Sequence, residues 1–283
     1  LSLLMALEDE PLEIIVCDDQ STDRTFDIAA RFSSRHSKIR CFHGAPLPVG
    51  YTGKNWACEQ LAEQAEGSFM LFIDADITLE GNIVGLLISH MEKKKLDLLS
   101  VFPKQEMLTL GERSTVPVMN WILISLLPLP LIRLSRLRSF SAANGQFMLY
   151  RALAYRNLEP HRQLRSNPAE DIASMKLFKK YGLRCATFTG DDRIRCRMYR
   201  GRKEALTGFS KNVLHYFSGN FIWLMFYVIF TTFGLLFIAL WSVSWFLVSL
   251  VAAVMGRILL SLASHQNPAN NLLLSPIQHF NFL

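Results

Sequence analysis

The sequence predicts an α/β fold with a mixed, largely parallel sheet flanked by helices, followed by C-terminal transmembrane helices. Three observations predict it. Short apolar, β-branched runs alternate with helix-like stretches between Leu12 and Tyr150, the pattern of strands joined by crossover helices. Two of those runs end in acidic residues, at the strand ends where such sheets gather ligands. Between Lys211 and Arg257 lie 45 residues without Asp, Glu, Lys or Arg. At ~1.5 Å per helical residue that is about twice what a ~30 Å hydrocarbon layer needs.

Leu12 to Cys17 (LEIIVC) reads as a buried strand ending in two aspartates. Ser21, Thr22 and Asp23 supply cap chemistry for a helix from about Arg24 to Ser33. Ile39 to Phe42 is a second strand, Pro46 to Gly53 a Pro- and Gly-rich loop, and Asn55 to Ala65 a helix. Ser68 to Ile73 (SFMLFI) is another buried strand ending in Asp, and Leu96 to Phe102 and Gln146 to Tyr150 add two more. Val116 to Leu137 is apolar but broken by Pro117, Pro128 and Pro130, which prevent one straight helix. Two readings stand for it: short helices on a membrane surface, or a loop and helix of the soluble core. Ala205 to Phe217 is amphipathic. Phe221 to Trp241 and Ser244 to Leu262 make two spans, with Trp223, Trp241 and Trp245 near the interfaces. Arg257 falls inside the second span, which is therefore short or lets this side chain snorkel at its end.

Half of the 283 residues are hydrophobic and 19% are charged, which excludes a disordered or fibrous chain. The net charge is +6. Its densest basic stretch, Arg193 to Lys203, borders the apolar run. It reads as a cytoplasmic border facing anionic lipid. Nucleic acid is not the expected partner, because the stretch lacks an aromatic platform. Five cysteines without CxxC spacing exclude a disulfide scaffold or zinc site and suit a reducing compartment. The chain opens on Leu1 and closes on Leu283, both in apolar sequence, so truncation at both ends is expected.

Four constellations carry chemistry. The first is Asp18-Asp19-Gln20-Ser21-Thr22-Asp23-Arg24-Thr25. A carboxylate at a strand end can accept a hydrogen bond from a nucleobase N–H, and Asp23 can equally cap a helix. The second is Asp74-Ala75-Asp76. Two acids one residue apart can share Mg²⁺ or Mn²⁺, hard cations that take carboxylate oxygens and leave positions for phosphate. The third is Glu170-Asp171, ahead of a helical stretch from Ile172 to Tyr181. Pairing raises the proton affinity of one acid, which suits a general base, and a helix N-terminus also welcomes acids. The fourth is Arg197-Met198-Tyr199-Arg200, whose arginines, three apart on a helical turn, could grip a diphosphate. Lys54, in Gly50-Tyr51-Thr52-Gly53-Lys54, adds a possible phosphate contact without Walker A spacing. Asn144-Gly145 could line a pocket or make a tight turn.

In this order and spacing, DDQSTDRT at 18–25, DAD at 74–76, ED at 170–171 and RMYR at 197–200 resemble the inverting family 2 glycosyltransferases of GT-A fold. GYTGKNWA at 50–57 and NGQFMLYRALAY at 144–155 resemble the membrane-bound bacterial branch that acts on polyisoprenoid-type lipids, such as hopanoid-associated and carotenoid glycosyltransferases. The resemblance implies a GT-A domain over 1–203, with 116–138 as a membrane-surface segment, and an interfacial and transmembrane region over 204–283. It implies transfer from a UDP-sugar to a lipid acceptor at the cytoplasmic face of a cell membrane. It assigns the base to Asp171 beside Glu170, and the metal, Mg²⁺ or Mn²⁺, to Asp76 with Asp74. It assigns the donor to Asp18, Asp19, Lys54, Asp74, Asn144, Gly145, Arg197 and Arg200, with Asp19 on the uracil. Gly201 stands where the family's (Q/R)xxRW pattern has Trp. A processive polysaccharide synthase and a non-catalytic membrane scaffold are the alternatives.

Overall fold

A computed structural model describes residues 13–126, 129–217 and 219–282. In chain order the elements are β1 (Ile14–Asp18), α1 (Thr25–Arg35), β2 (Ile39–His43), α2 (Gly53–Gln64), β3 (Phe69–Ile73), β4 (Ile77–Leu79), α3 (Ile83–Lys94), β5 (Leu98–Phe102), β6 (Lys104–Gln105), α4 (Leu110–Arg113), α5 (Pro117–Leu126) and α6 (Leu129–Leu134). Then come β7 (Phe147–Arg151), α7 (Ala152–Leu158), α8 (Pro160–Gln163), α9 (Glu170–Lys180), β8 (Cys185–Thr189), β9 (Ile194–Cys196), α10 (Arg202–Tyr216), α11 (Phe221–Trp241), α12 (Val243–Ala263), α13 (Pro268–Leu273) and α14 (Ser275–Phe282). They form two compact units. One runs to Phe102 and resumes over Leu129–Phe188; the other holds Pro103–Pro128 and Thr189–Leu283.

In the first unit β1 and β2 pair in parallel, from Ile14 opposite Ile39 to Asp18 opposite His43. The expected start of β1 at Leu12 lies outside the described residues. α1 follows Asp23, whose Oδ1 accepts the Thr25 N–H at 2.9 Å, so one member of the Ser-Thr-Asp run does satisfy an orphan donor of the first turn. The larger sheet has the order β3-β7-β5-β8, and β7 is antiparallel to both β3 and β5. The sheet is mixed as expected, but its centre is not parallel. Strand–helix alternation sets a parallel direction only across a single βαβ crossover. Between β5 and β7 the chain instead runs through the other unit's Pro103–Pro128.

That reversal positions the site. Ile73, the last residue of β3, faces Phe147, the first of β7. The chain leaving β3 therefore meets the chain entering β7, and the Asp74 N–H donates to the Gln146 carbonyl at 3.1 Å. Leu98, Leu99, Phe147, Leu149 and Tyr150 of the sheet, and Met175 and Phe178 of α9, are at most 1% exposed. Burying each such side chain contributes ~1.5–3 kcal/mol, so the strand ends rest on a rigid floor.

In the second unit β6 and β9 pair in parallel, Lys104 opposite Arg195. The proline-broken stretch forms two short helices, α5 in this unit and α6 in the first, each too short to span. α11 and α12 are 21 residues each, with mean hydropathy 2.3 and 2.2, long and apolar enough to cross a membrane. Arg257 departs from the expected snorkelling. It is 7% exposed, lies 3.5 Å over the Trp121 ring, and donates to the Asn271 carbonyl, Gln278 Oε1 and His279 Nδ1. The turn into α13 and α14 brings these acceptors to the charge, so it has no need to reach an interface.

Candidate active site

Four segments of the first unit meet where β3 ends and β7 begins. α2 opens on Thr52, whose Oγ1 accepts the Asn55 N–H at 3.3 Å. Lys54 stands in that first turn, where the helix dipole disfavours a cation. Its Nζ lies 3.1 Å from Glu170 Oε1 and 3.3 Å from Asp74 Oδ1, and donates to the Gly145 carbonyl at 3.1 Å. Glu170 and Asp171 occupy the first turn of α9, where the dipole favours acids. Asp171 Oδ2 accepts the Gly145 N–H at 2.9 Å and its Oδ1 the Ile172 N–H at 2.7 Å. Gly145 thus donates to one catalytic candidate and accepts from another. A Cβ there would come within 2.8 Å of both Glu170 Oε1 and Lys54 Nζ, so the close approach requires glycine. Asn144-Gly145 turns the chain, and Gly145 lines a cavity of about 170 Å³ shared with Lys54, Asp74, Glu170 and Asp171.

Asp76 lies two residues beyond Asp74 in an exposed turn. Gln146 Nε2 donates to Asp76 Oδ2 at 3.3 Å. Asn144 orients Gln146 in turn, since Asn144 Oδ1 accepts the Gln146 N–H at 2.8 Å. Among the described residues no group of three or more His, Cys, Asp or Glu side chains surrounds a metal-sized point. Mg²⁺ is commonly held by one or two carboxylates with substrate phosphates and water. The oxygen-only pair Asp76 and Asp74 fits that chemistry.

The electrostatics separate the acids. Burial pushes the Asp171 carboxyl up to about 6, helped by the neighbouring Glu170 charge, while the Ile172 and Gly145 N–H groups and Lys54 pull it partly back. Burial also raises Asp74, against the pull of Lys54. Burial acts to lower Lys54, but Glu170 and Asp74 override it and hold the ammonium above its ordinary value. The Cys58 thiol in the same cavity is pushed up to about 12 by burial. It is no nucleophile at neutral pH.

Asp18 and Asp19 part company at the end of β1. Asp18 is 4% exposed, with Oδ2 3.3 Å from His43 Nδ1, and the His43 ring stacks on Phe26. Asp19 is exposed and its Oδ2 lies against Gly53, the first residue of α2. The arginine pair belongs to the second unit. Arg197 and Arg200 lie in irregular chain between β9 and α10 and not on the helical turn expected from their spacing. Arg197 donates to Glu112 Oε1 at 3.0 Å. Glu112 is fully buried. It closes a capping box with Thr109 at the start of α4. Burial acts to raise the Glu112 carboxyl, but Arg197 and the Leu108 and Thr109 N–H groups hold it below the usual range. Arg197 Nε, also buried, has no hydrogen-bond partner within the protein. The Arg200 N–H donates to Glu204 Oε2 at 2.7 Å, and its side chain is exposed.

Residues that sequence reasoning missed hold this geometry. Asn55 has no exposed surface. Its Nδ2 reaches the Leu164, Arg165 and Asn167 carbonyls at 2.9 to 3.2 Å. It thereby ties the helix bearing Lys54 to the loop that delivers Glu170. Ser100 Oγ accepts the Asn144 N–H at 2.8 Å. A polar residue among the inward positions of a helix was the available signal for Asn55. Nothing local marks Ser100, whose partner is 44 residues away.

Residues 1–158 match the family model described as glycosyl transferase family 2. A curated relative, the 4,4'-diaponeurosporenoate glycosyltransferase of Staphylococcus haemolyticus, is 24% identical over 75% of this chain and 56% of its own length. The chain thus spans about half the length of that relative. Among solved structures, S. aureus TarS with UDP-GlcNAc aligns at 16% identity over 75% of this chain and 62% of that one, TM-score 0.44. The mannosyltransferase PcManGT of Pyrobaculum calidifontis, with GDP-Man and Mn²⁺, aligns at 16% over 75% and 59%, TM-score 0.46. Glucosyl-3-phosphoglycerate synthase of Mycobacterium tuberculosis aligns at 19% over 72% and 67%, TM-score 0.42.

Proposed function

The chain belongs to glycosyl transferase family 2, and on that premise we propose that it moves a sugar from a UDP-sugar to a lipid hydroxyl or carboxylate, with inversion. The observation that carries the reading is the meeting of Lys54, Asp74, Glu170 and Asp171 around Gly145. Asp171 acts as the base. A carboxyl raised to about 6 is still ionised at neutral pH, yet binds a proton more strongly than an ordinary aspartate. Glu170, 3.1 Å from Lys54, adds to the raising of Asp171 from beside it. Attack by the deprotonated acceptor on the side opposite the departing diphosphate inverts the anomeric carbon.

Asp76 with Asp74 would hold Mg²⁺ or Mn²⁺, which supplies Lewis-acid stabilisation of the leaving diphosphate. Lys54 offers the donor phosphates a positive charge fixed by two acids, and Arg197 and Arg200 are assigned to the diphosphate. Asp18 and Asp19 are assigned to the nucleoside end, and Asn144 and Gly145 to the pocket wall. The curated relative's name supports a lipid-like acceptor, and α11 and α12 support a multi-pass membrane location. The basic stretch Arg193 to Lys203, next to them in the sequence, supports a cytoplasmic side for the transferase domain.

The test uses the full-length protein in membranes, a panel of radiolabelled UDP-sugars and a lipid extract of the source cells. Label is expected in the organic phase, lost on chelation and restored by Mn²⁺ or Mg²⁺. Label in high-molecular-weight polymer would favour a processive synthase. Absence of UDP binding by calorimetry would favour a scaffold.

A further inference from the structure

Between α6 and β7 the first unit carries an irregular strap, residues 135–146. It ends in the Asn144-Gly145 turn, where Gly145 meets Lys54 and Asp171. Ser141, Ala142 and Ala143 of the strap are buried. Buried irregular backbone needs partners for its carbonyls and amides, and side chains supply several of them here. On the sheet side, Thr187 Oγ1 of β8 donates to the Ala142 carbonyl at 2.6 Å, and Ser100 Oγ of β5 accepts the Asn144 N–H at 2.8 Å. On the other side stands α9. Lys179, in its last turn, donates to the Ser135 carbonyl at 3.0 Å and to the Phe140 carbonyl. Asp171, in its first turn, accepts the Gly145 N–H. The helix that carries the acids therefore also grips the strap that carries their glycine, once at each end.

Lys179 is buried, 6% exposed. Among the described residues no carboxylate pairs with it, and burial holds its ammonium below the ordinary value. A buried unpaired charge costs more than a neutral donor. In return its hydrogen bonds to carbonyls are roughly twice as strong as neutral ones, and the last turn of a helix favours a cation. The chain from Phe140 to Gly145 can extend ~17 Å at most, while Asp171 and Lys179 stand ~12 Å apart along α9. The strap thus has little slack between these two ties. With Lys179 removed, of the two only the bond from Gly145 to Asp171 is left to hold the strap against α9.

We propose that Lys179 is a positioning residue for the transfer reaction. By pinning the Ser135 and Phe140 carbonyls to the end of α9, it keeps the Gly145 N–H on Asp171 and the Gly145 carbonyl on Lys54. It acts through the strap and not on the substrate. The proposal rests on the reading of Asp171 as the base and adds to it the group that sets the base's partner in place.

The test uses the full-length protein in nanodiscs and reads amide hydrogen exchange at residues 144–146 beside the kinetics of transfer. In Lys179→Met, exchange at Gly145 is expected to quicken about two- to tenfold, the scale of one lost hydrogen bond. The same variant is expected to lower kcat about ten- to a hundredfold, as a small misplacement at the reacting centre does. KM for the UDP-sugar changes less, because Lys54 keeps its contacts with Glu170 and Asp74. Lys179→Arg, still a charged double donor, is expected to restore both readouts. Lys179→Gln, a neutral donor, falls between the two and serves if the methionine variant fails to fold. Ser33→Ala is the control. It removes another side-chain bond to a carbonyl, that of Ile39 at 2.8 Å, and is expected to lower thermal stability without moving either readout. Unchanged exchange at Gly145 in Lys179→Met and Lys179→Gln would overturn the proposal, whatever the activity. So would quickened exchange with kcat intact, a loss that Lys179→Arg does not restore, or an equal loss in Ser33→Ala. Full transfer by Asp171→Asn would instead refute the reading of the base, and the proposal with it, even where exchange at Gly145 responds to Lys179.

Discussion

Removing the Lys54 ammonium tests whether the acids around Gly145 work as one coupled set. Lys54→Met keeps the length of the side chain and deletes three contacts, at 3.1 Å to Glu170, 3.3 Å to Asp74 and 3.1 Å to the Gly145 carbonyl. At an effective dielectric of ~20, a pair of charges ~3 Å apart attracts by ~5 kcal/mol before desolvation. The Lys54 side chain is 41% exposed and Asp74 40%, against 11% for Glu170. Solvent screening therefore brings the net loss to about 1–3 kcal/mol. The sharper readout is a pH profile. Lys54 pulls the Asp171 carboxyl down from where burial and Glu170 would set it, about 6 being the balance. Without the cation that balance rises, by roughly half to one unit for an interaction of ~0.7–1.4 kcal/mol. A base with a higher pKa stays protonated to a higher pH. The acid limb of kcat/KM for the full-length protein is therefore expected near 6 in the wild type and displaced to more alkaline pH in the variant. The activity loss should be largest on the acid side. An acid limb that stays in place or moves to lower pH would refute the coupling.

Asp171→Asn is expected to lower transfer ~10²–10⁴-fold, the usual contribution of a positioned base, and to stabilise the fold at neutral pH. Asp171 binds its proton more tightly folded than unfolded, so its stability contribution is present at low pH and lost as pH rises through about 6. Asparagine removes that cost, worth about 1–2 kcal/mol after the loss of one accepted N–H bond, read by thermal inactivation rate. Gly145→Ala must displace the tips of Lys54 and Glu170. Both are flexible ends, so folding should change by less than ~1 kcal/mol while transfer falls by at least an order of magnitude; intact activity would remove Gly145 as the pivot. Asn55→Ala leaves three carbonyls without its amide, with an expected stability loss of about 1–3 kcal/mol and raised hydrogen exchange in residues 164–167. Glu112 has a depressed carboxyl pKa when folded, so its contribution is present above the unfolded value and lost as pH falls. Glu112→Gln is accordingly expected to cost about 1–3 kcal/mol at neutral pH and progressively less in acid, measured as half-life at fixed temperature.

β1, β2, β3, β5 and β7, with α1, α2 and α9, were legible because their signals are local, whereas β4, α3, α7, α8 and β8 were not read from the sequence. LEIIVC, SFMLFI and the Ser-Thr-Asp cap each declare themselves within a few residues, and observed ends differ from the expected ones by one or two positions. The apolar run likewise declares α11 and α12 by length and composition. The direction of β7 was not legible. Alternation of strand and helix carries no information about a strand reached through a long excursion, and only the pairing of Ile73 with Phe147 shows it to be antiparallel. The arginine spacing misled for a related reason: a separation of three implies a helical turn only where the backbone is helical, and β9 leads into irregular chain at Arg197.

The acidic motifs, the lysine and the glycine were all present as letters, and the sequence alone determined which chemistry was on offer. Tertiary structure decided how it is shared out. Burial and the neighbouring Glu170 raise Asp171, contact with Lys54 binds Asp74 and Glu170, and exposure leaves Asp76 beside Gln146. Arg257 shows the same division: its charge was visible in the chain, while its place over the Trp121 ring and against Gln278 depended on the turn into α13 and α14. The physical reason is that a residue's identity sets which protons and charges it can carry, whereas solvent exclusion and the distance to other charges set their energies, and both come from segments far apart in sequence.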